Sequence, residues 1–221
     1  MTISIHTLGF AALVAVFSPA ATLAKDYIPS DREQRFGQTV LREFARCVAD
    51  GSPEIAHEYV MLARGERLRD NHWGALVDGN CLGYRSGSLR MNGFSLRAAL
   101  AERLIDRNLI DSSPADFSAV EAFTYSDAGE DVSDDEALTY LVRLGECVAR
   151  LNPQGSRHVF STRAGSDEET AALRAIGSEL ATCVPAGEQV AFDRTTLRAG
   201  LATSYYRLAS IAALPTTESN Q

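Results

Sequence analysis

The chain contains Leu41-(x)5-Cys47-Val48-Ala49 and, 100 residues later, Leu141-(x)5-Cys147-Val148-Ala149, a duplication marked by its four cysteines. The similarity extends along both segments at an offset of 100 to 102 residues. It pairs Pro53 with Pro153, His57 with His158, Cys81 with Cys183, and Leu96-Arg97-Ala98-Ala99-Leu100-Ala101 with Leu197-Arg198-Ala199-Gly200-Leu201-Ala202. The sequence therefore predicts two homologous repeats.

The N-terminal 24 residues have the pattern of a secretory signal peptide. An uncharged apolar run from Leu8 to Phe17 is followed by Ser18-Pro19 and small residues up to Ala24. The run is short for a membrane span, which needs about 20 apolar residues. We expect cleavage after Ala24, a secreted or periplasmic location, and no membrane span in the mature chain; an uncleaved anchor is the alternative.

The four cysteines on an exported chain predict two disulfides. Three pairings are possible, and the duplication favours one bridge inside each repeat. We therefore expect Cys47 to pair with Cys81 and Cys147 to pair with Cys183.

Periodicity and capping signals predict a mainly α-helical fold. Ser30-(x)2-Glu33 and Ser133-(x)2-Glu136 are capping boxes, and each precedes an apolar stripe that leads to the first cysteine of its repeat. The stripe of the first helix includes Phe36, Phe44 and Cys47, so the cysteine is expected on the buried face. Ser95 and Thr196 are expected to cap the last helix of each repeat, and Ser88–Met91 and Gln189–Phe192 are expected as short extended segments.

These signals divide the chain into a signal peptide (1–24), repeat 1 (30–110), an acidic connector (111–132), repeat 2 (133–214) and a mobile polar tail (215–221). Residues 108–136 hold nine acidic residues and no base, whereas each repeat is close to neutral. Three aromatic residues in the connector, Phe117, Phe123 and Tyr125, predict that it contacts the repeats, with a short helix after Pro114. The absence of a basic stripe excludes nucleic acid as the main partner.

Two groups of residues are candidates for a binding or catalytic site. His57 and His158 occupy equivalent positions, so in a twofold arrangement they would face each other and hold a metal or an anion, with Glu58 assisting; the alternative is that each packs a turn. His72 and Trp73, with Arg67, Arg69 and Tyr84, would line a pocket for a flat ligand or a carboxylate. Alternatively, Trp73 packs beside the Cys47–Cys81 bridge.

No motif of a known catalytic class occurs in the sequence. Gly-x-Ser-x-Gly, His-Glu-x-x-His, Cys-x-x-Cys and phosphate-binding glycine loops are absent, and Lys25 is the only lysine. The leading expectation is a non-catalytic binding or interaction protein of the cell envelope, without a cofactor or a structural metal. It would bind a protein or a small ligand through the groove or face shared by the repeats. A hydrolase with a histidine-based site between the repeats and a metal-binding module are the alternatives.

Overall fold

The structure is a computed structural model, which describes residues 31–62, 68, 70–76, 81, 92–108, 116–123, 133–188 and 190–213. The described part is mainly helical and contains no strand. The first half contains α1 (Asp31–Gly51), α2 (Pro53–Met61), α3 (Asp70–Leu76) and α4 (Gly93–Asn108). The second half contains α5 (Ser133–Leu151), α6 (Pro153–Ser161), α7 (Asp167–Ala175), α8 (Gly177–Cys183) and α9 (Arg194–Ala212).

The two halves follow the same order of packing. The last helix of each half, α4 or α9, packs on the first two helices of that half. In both halves a proline occupies the first turn of the second helix, where its missing N–H costs no hydrogen bond. This correspondence agrees with the expected duplication, although homology of the halves remains a prediction.

Each half is closed by its own disulfide. Cys47 is bonded to Cys81 and Cys147 to Cys183, with Cα–Cα distances of 5.5 and 5.8 Å. The expectation that Cys47 lies on the buried face of its helix is wrong, because Cys47 is exposed, whereas Cys81 is partly buried. Phe36, expected on the buried stripe, is 61% exposed, so the stripe of α1 is buried only further along the helix, at residues such as Phe44 and Val48.

Helix α9 lies at the centre of the molecule. Its residues from Arg198 to Tyr206 are all buried, and it packs against α5 and α6 on one side and α4 and α2 on the other. Gly145 and Gly200 allow α5 and α9 to approach closely, since a Cβ on Gly145 would lie 2.5 Å from the carbonyl oxygen of Gly200. The two halves therefore share one central helix.

The described part of the connector is anchored to the second half. Phe117 is buried and stacks edge-to-face on Tyr205 of α9, with ring centroids 5.4 Å apart. Arg150 donates hydrogen bonds to the carbonyl oxygens of Phe117 and Val120 at 2.7 and 2.8 Å. Contact through aromatic rings was expected, but residues 116–123 form a turn rather than the predicted short helix.

Several sequence expectations differ from the structure or cannot be compared with it. Residues 167–183 form two helices, because Ile176 separates α7 from α8. Residues 190–192, part of the second expected extended segment, form neither a helix nor a strand. The signal peptide, Ser88–Met91, Tyr125 and the tail (215–221) lie outside the described residues, as does Ser30 of the first capping box.

Candidate binding pocket

The structure does not place the two equivalent histidines in one site. His57 is exposed on α2, and its Nδ1 lies 2.8 Å from the hydroxyl oxygen of Tyr206. His158 is exposed on α6, and its Nδ1 lies 3.3 Å from Oγ of Ser161 in the same helix. No group of three metal-ligating side chains occurs among the described residues.

His72 and Trp73 lie on a separate surface formed by α2 and α3. Nδ1 of His72 lies 2.7 Å from Oε2 of Glu58, so Glu58 pairs with His72 and not with its sequence neighbour His57. Trp73 is 47% exposed and lies against the ring of Tyr59, with centroids 6.2 Å apart. Arg67, Arg69 and Tyr84, which were expected to complete this pocket, lie outside the described residues.

A cavity lies between the two halves. Its volume is about 350 Å³, and α1 and α4 of the first half face α9 and the segment before α7 of the second half across it. Small and apolar residues form its walls: Gly37, Leu41, Ala98, Ala99, Ala164, Gly165 and Ala199. Four polar residues form its rim: Gln38, Asn92, Ser95 and Thr195. The remaining four lining residues are charged, and we call them the charged floor: Arg42, Glu102, Glu169 and Arg198.

Arg198 connects the two carboxylates of the charged floor. Its Nε and Nη2 donate to the two oxygens of Glu102 at 2.7 and 2.9 Å, and its Nη1 donates to Oε1 of Glu169 at 3.1 Å. The side chains of Arg198 and Glu169 are 5% and 2% exposed. Burial alone would lower the pKa of Arg198, but the carboxylates of Glu102 and Glu169 outweigh it and raise that pKa. The floor thus holds a buried ion-pair network that joins α4, α7 and α9.

The termini of three helices position this network. Asn92 accepts from the backbone N–H of Ser95 at 2.7 Å, and Asp193 accepts from that of Thr196 at 2.9 Å, so α4 and α9 begin with equivalent caps. The expectation that Ser95 and Thr196 cap these helices is wrong, because the caps lie about one turn earlier, at Asn92 and Asp193. Burial alone would raise the pKa of Asp193, but hydrogen bonds from Thr196 lower it below its ordinary value.

Glu169 is fixed in the pocket by the turn that precedes α7. Ser166 caps the helix by accepting from the backbone N–H of Glu169 at 3.2 Å. The second oxygen of Glu169 accepts from the backbone N–H of Gly165 at 2.7 Å. Gly165 has φ +80°, a left-handed conformation that favours glycine. A local sequence signal therefore delivers one carboxylate to the inter-half pocket.

Sequence reasoning missed the residues of the charged floor. One available signal was the repeated Leu-Arg-Ala segment, because Arg97 and Arg198 are equivalent and both donate to backbone carbonyls at the end of the second helix of their half. Arg97 donates to Leu62 at 3.2 Å, and Arg198 donates to Val159 at 2.9 Å. Arg198 donates in addition to the carboxylates of Glu102 and Glu169.

Comparison with protein-family models, with curated proteins and with solved structures gives no match for this chain. Within the described residues, none of the helices is both long and apolar enough to cross a membrane.

Proposed function

We propose that this chain is an exported, non-catalytic binding protein whose ligand site is the pocket between its two halves. Export is supported by the signal-like pattern of residues 1–24 and by the two disulfides, which form and persist in oxidising compartments. The observation that supports binding is the pocket itself, which has an apolar wall, a polar rim and a charged floor. Such a combination of an apolar surface with a few polar groups is typical of small-molecule sites.

The pocket favours a small molecule over a protein as the ligand. Its volume of about 350 Å³ is at the lower end of the range of small-molecule sites, roughly 300–1,000 Å³. The hydrolase alternative depends on a histidine base, and no histidine occurs among the described residues that line the pocket. Binding rather than hydrolysis is therefore the function that this geometry supports best.

Filling the pocket with a larger side chain tests this proposal. Ser95 is suited to this because it lines the pocket, and only its backbone N–H takes part in the cap with Asn92. Ser178→Phe is the matched control, since Ser178 is an exposed serine in the first turn of α8 and does not line the pocket.

The measurement is a thermal-shift screen of a chemically diverse small-molecule library. A ligand that binds only the folded state raises the unfolding temperature. We expect compounds that stabilise the wild type and Ser178→Phe equally and lose their effect on Ser95→Phe. Compounds that stabilise all three proteins equally, or a complete absence of stabilising compounds, would contradict the proposal.

A further inference from the structure

Arg42 is the least engaged member of the charged floor. Its Nε lies 3.9 Å from Oε2 of Glu102, which is beyond hydrogen-bond distance, and within the described residues its guanidinium makes no hydrogen bond. Glu102 already accepts two hydrogen bonds from Arg198. Because a guanidinium has five N–H donors, Arg42 offers the pocket a planar set of donors from which no described residue accepts a hydrogen bond.

The surroundings of Arg42 favour an added negative charge. The side chain is only 37% exposed, and burial lowers the pKa of Arg42. Glu102 and Glu169 act to raise that pKa, whereas the nearby cations Arg198 and Arg163 lower it. Arg194 adds a further cation, with its Nε 3.9 Å from Glu169. Arg42 and Arg198 balance the two carboxylates that line the pocket, so the positive charge that Arg163 and Arg194 add nearby favours an anion there.

The same residues limit the kind of anion. A guanidinium matches a carboxylate with two parallel hydrogen bonds. The two fixed carboxylates of the floor repel a phosphate dianion more strongly than a monoanion. The walls, which include Leu41, Ala98 and Ala199, offer an apolar surface to the remainder of the molecule. We propose that the pocket binds a small organic carboxylate, with the carboxylate on the guanidinium of Arg42 and the apolar body against these walls.

This assignment rests on the proposed binding function and is tested with matched pairs of probes. The probes are benzoate against benzamide and hexanoate against hexanamide, which differ in charge and not in shape, and inorganic phosphate. Binding is measured by NMR titration of the uniformly ¹⁵N-labelled protein with its disulfides intact. The proteins are the wild type, Arg42→Gln and the control Arg46→Gln, which removes an exposed arginine one turn further along α1.

We expect at least one carboxylate to shift amide signals of residues 98, 99 and 199 and to bind at least about tenfold more tightly than its amide partner. Arg46→Gln should keep this preference, and Arg42→Gln should reduce the ratio to about one. Equal binding of acid and amide by the wild type, binding of neither carboxylate, a preference that survives Arg42→Gln, or tighter binding of phosphate would each overturn the assignment. If this test fails while Ser95→Phe still abolishes library hits, only the ligand class is wrong; if Ser95→Phe has no effect, the proposed function itself fails.

Discussion

Replacing Arg198 tests whether the charged floor holds the two halves together. Arg198→Met keeps the length of the side chain but leaves the buried carboxylate of Glu169 and the partly buried one of Glu102 without their main partner. Removing one member of a buried ion pair costs about 3–5 kcal/mol, because the remaining charge is desolvated and uncompensated. This is a large part of the ~5–15 kcal/mol by which a domain is stable.

The equivalent residue of the first half provides the control. Arg97 donates to the carbonyl of Leu62 and lies over the ring of Tyr59, with its Cζ 5.4 Å from the centroid. The hydrogen bond is charge-assisted and worth about 1.5 kcal/mol or more, and the partly exposed cation–π contact is worth about 1 kcal/mol, so we expect Arg97→Met to cost less than Arg198→Met.

Urea unfolding at pH 7, with both disulfides intact, measures the two variants. Arg198→Met should lower the free energy of unfolding by about 1 kcal/mol more than Arg97→Met, with little change in the slope against urea. Adding Glu169→Gln to Arg198→Met should recover part of the loss, because it removes the unpaired buried charge. Equal losses for the two arginine variants, or no recovery in the double variant, would refute the reasoning.

Three further predictions concern the scaffold of the pocket, and each is measured as the free energy of unfolding in urea. Replacing Cys47 and Cys81 by alanine should cost about 3–4 kcal/mol, since the bridge closes a separation of 34 residues; a loss below about 1 kcal/mol would contradict this. Asp193→Ala should cost about 1 kcal/mol at pH 7 through loss of the cap. Folding lowers the pKa of Asp193, so the carboxylate stabilises the protein fully above the unfolded aspartate pKa of about 3.9. This stabilisation is lost as the pH falls through the lower pKa of the folded state. If Asp193→Ala costs as much stability at pH 2 as at pH 7, this account of the cap is wrong. Gly145→Ala should destabilise the protein by at least about 1 kcal/mol, because the added Cβ would clash with the backbone of α9. Gly177→Ala is the control and should not destabilise it, because a Cβ added there has no atom within 4 Å. Similar effects of the two substitutions would disprove the close approach of α5 and α9.

The mainly helical fold and the two bridges could be predicted because their signals are local or duplicated. The apolar periods around Cys47 and Cys147 predict helices, and the recurrence of the cysteines favours one pairing of three. The first residues of the helices were harder to predict from the sequence. Asn92 and Asp193 precede the expected caps by three residues, and serine or threonine at the third helical position resembles a cap in the sequence.

The pocket could not be predicted because its residues meet only in the folded chain. Arg198 and Glu102 are separated by 96 residues and lie on different helices, and nothing in either local segment indicates the pairing. His57 and His158 were candidates for a site because they occupy equivalent positions in the two halves. A duplication also preserves residues whose role is only to pack a turn. His57 and His158 contact Tyr206 and Ser161 respectively, and neither lines the pocket.

Native mass spectrometry of the protein purified from its own secretory compartment tests the central claim most directly. The measurement compares the wild type, Ser95→Phe and Ser178→Phe under conditions that keep non-covalent complexes intact. We predict a bound organic acid on the wild type and on Ser178→Phe that is absent from Ser95→Phe. The same bound molecule on all three proteins, or no bound molecule on any of them, would contradict the claim that the pocket between the halves is the ligand site.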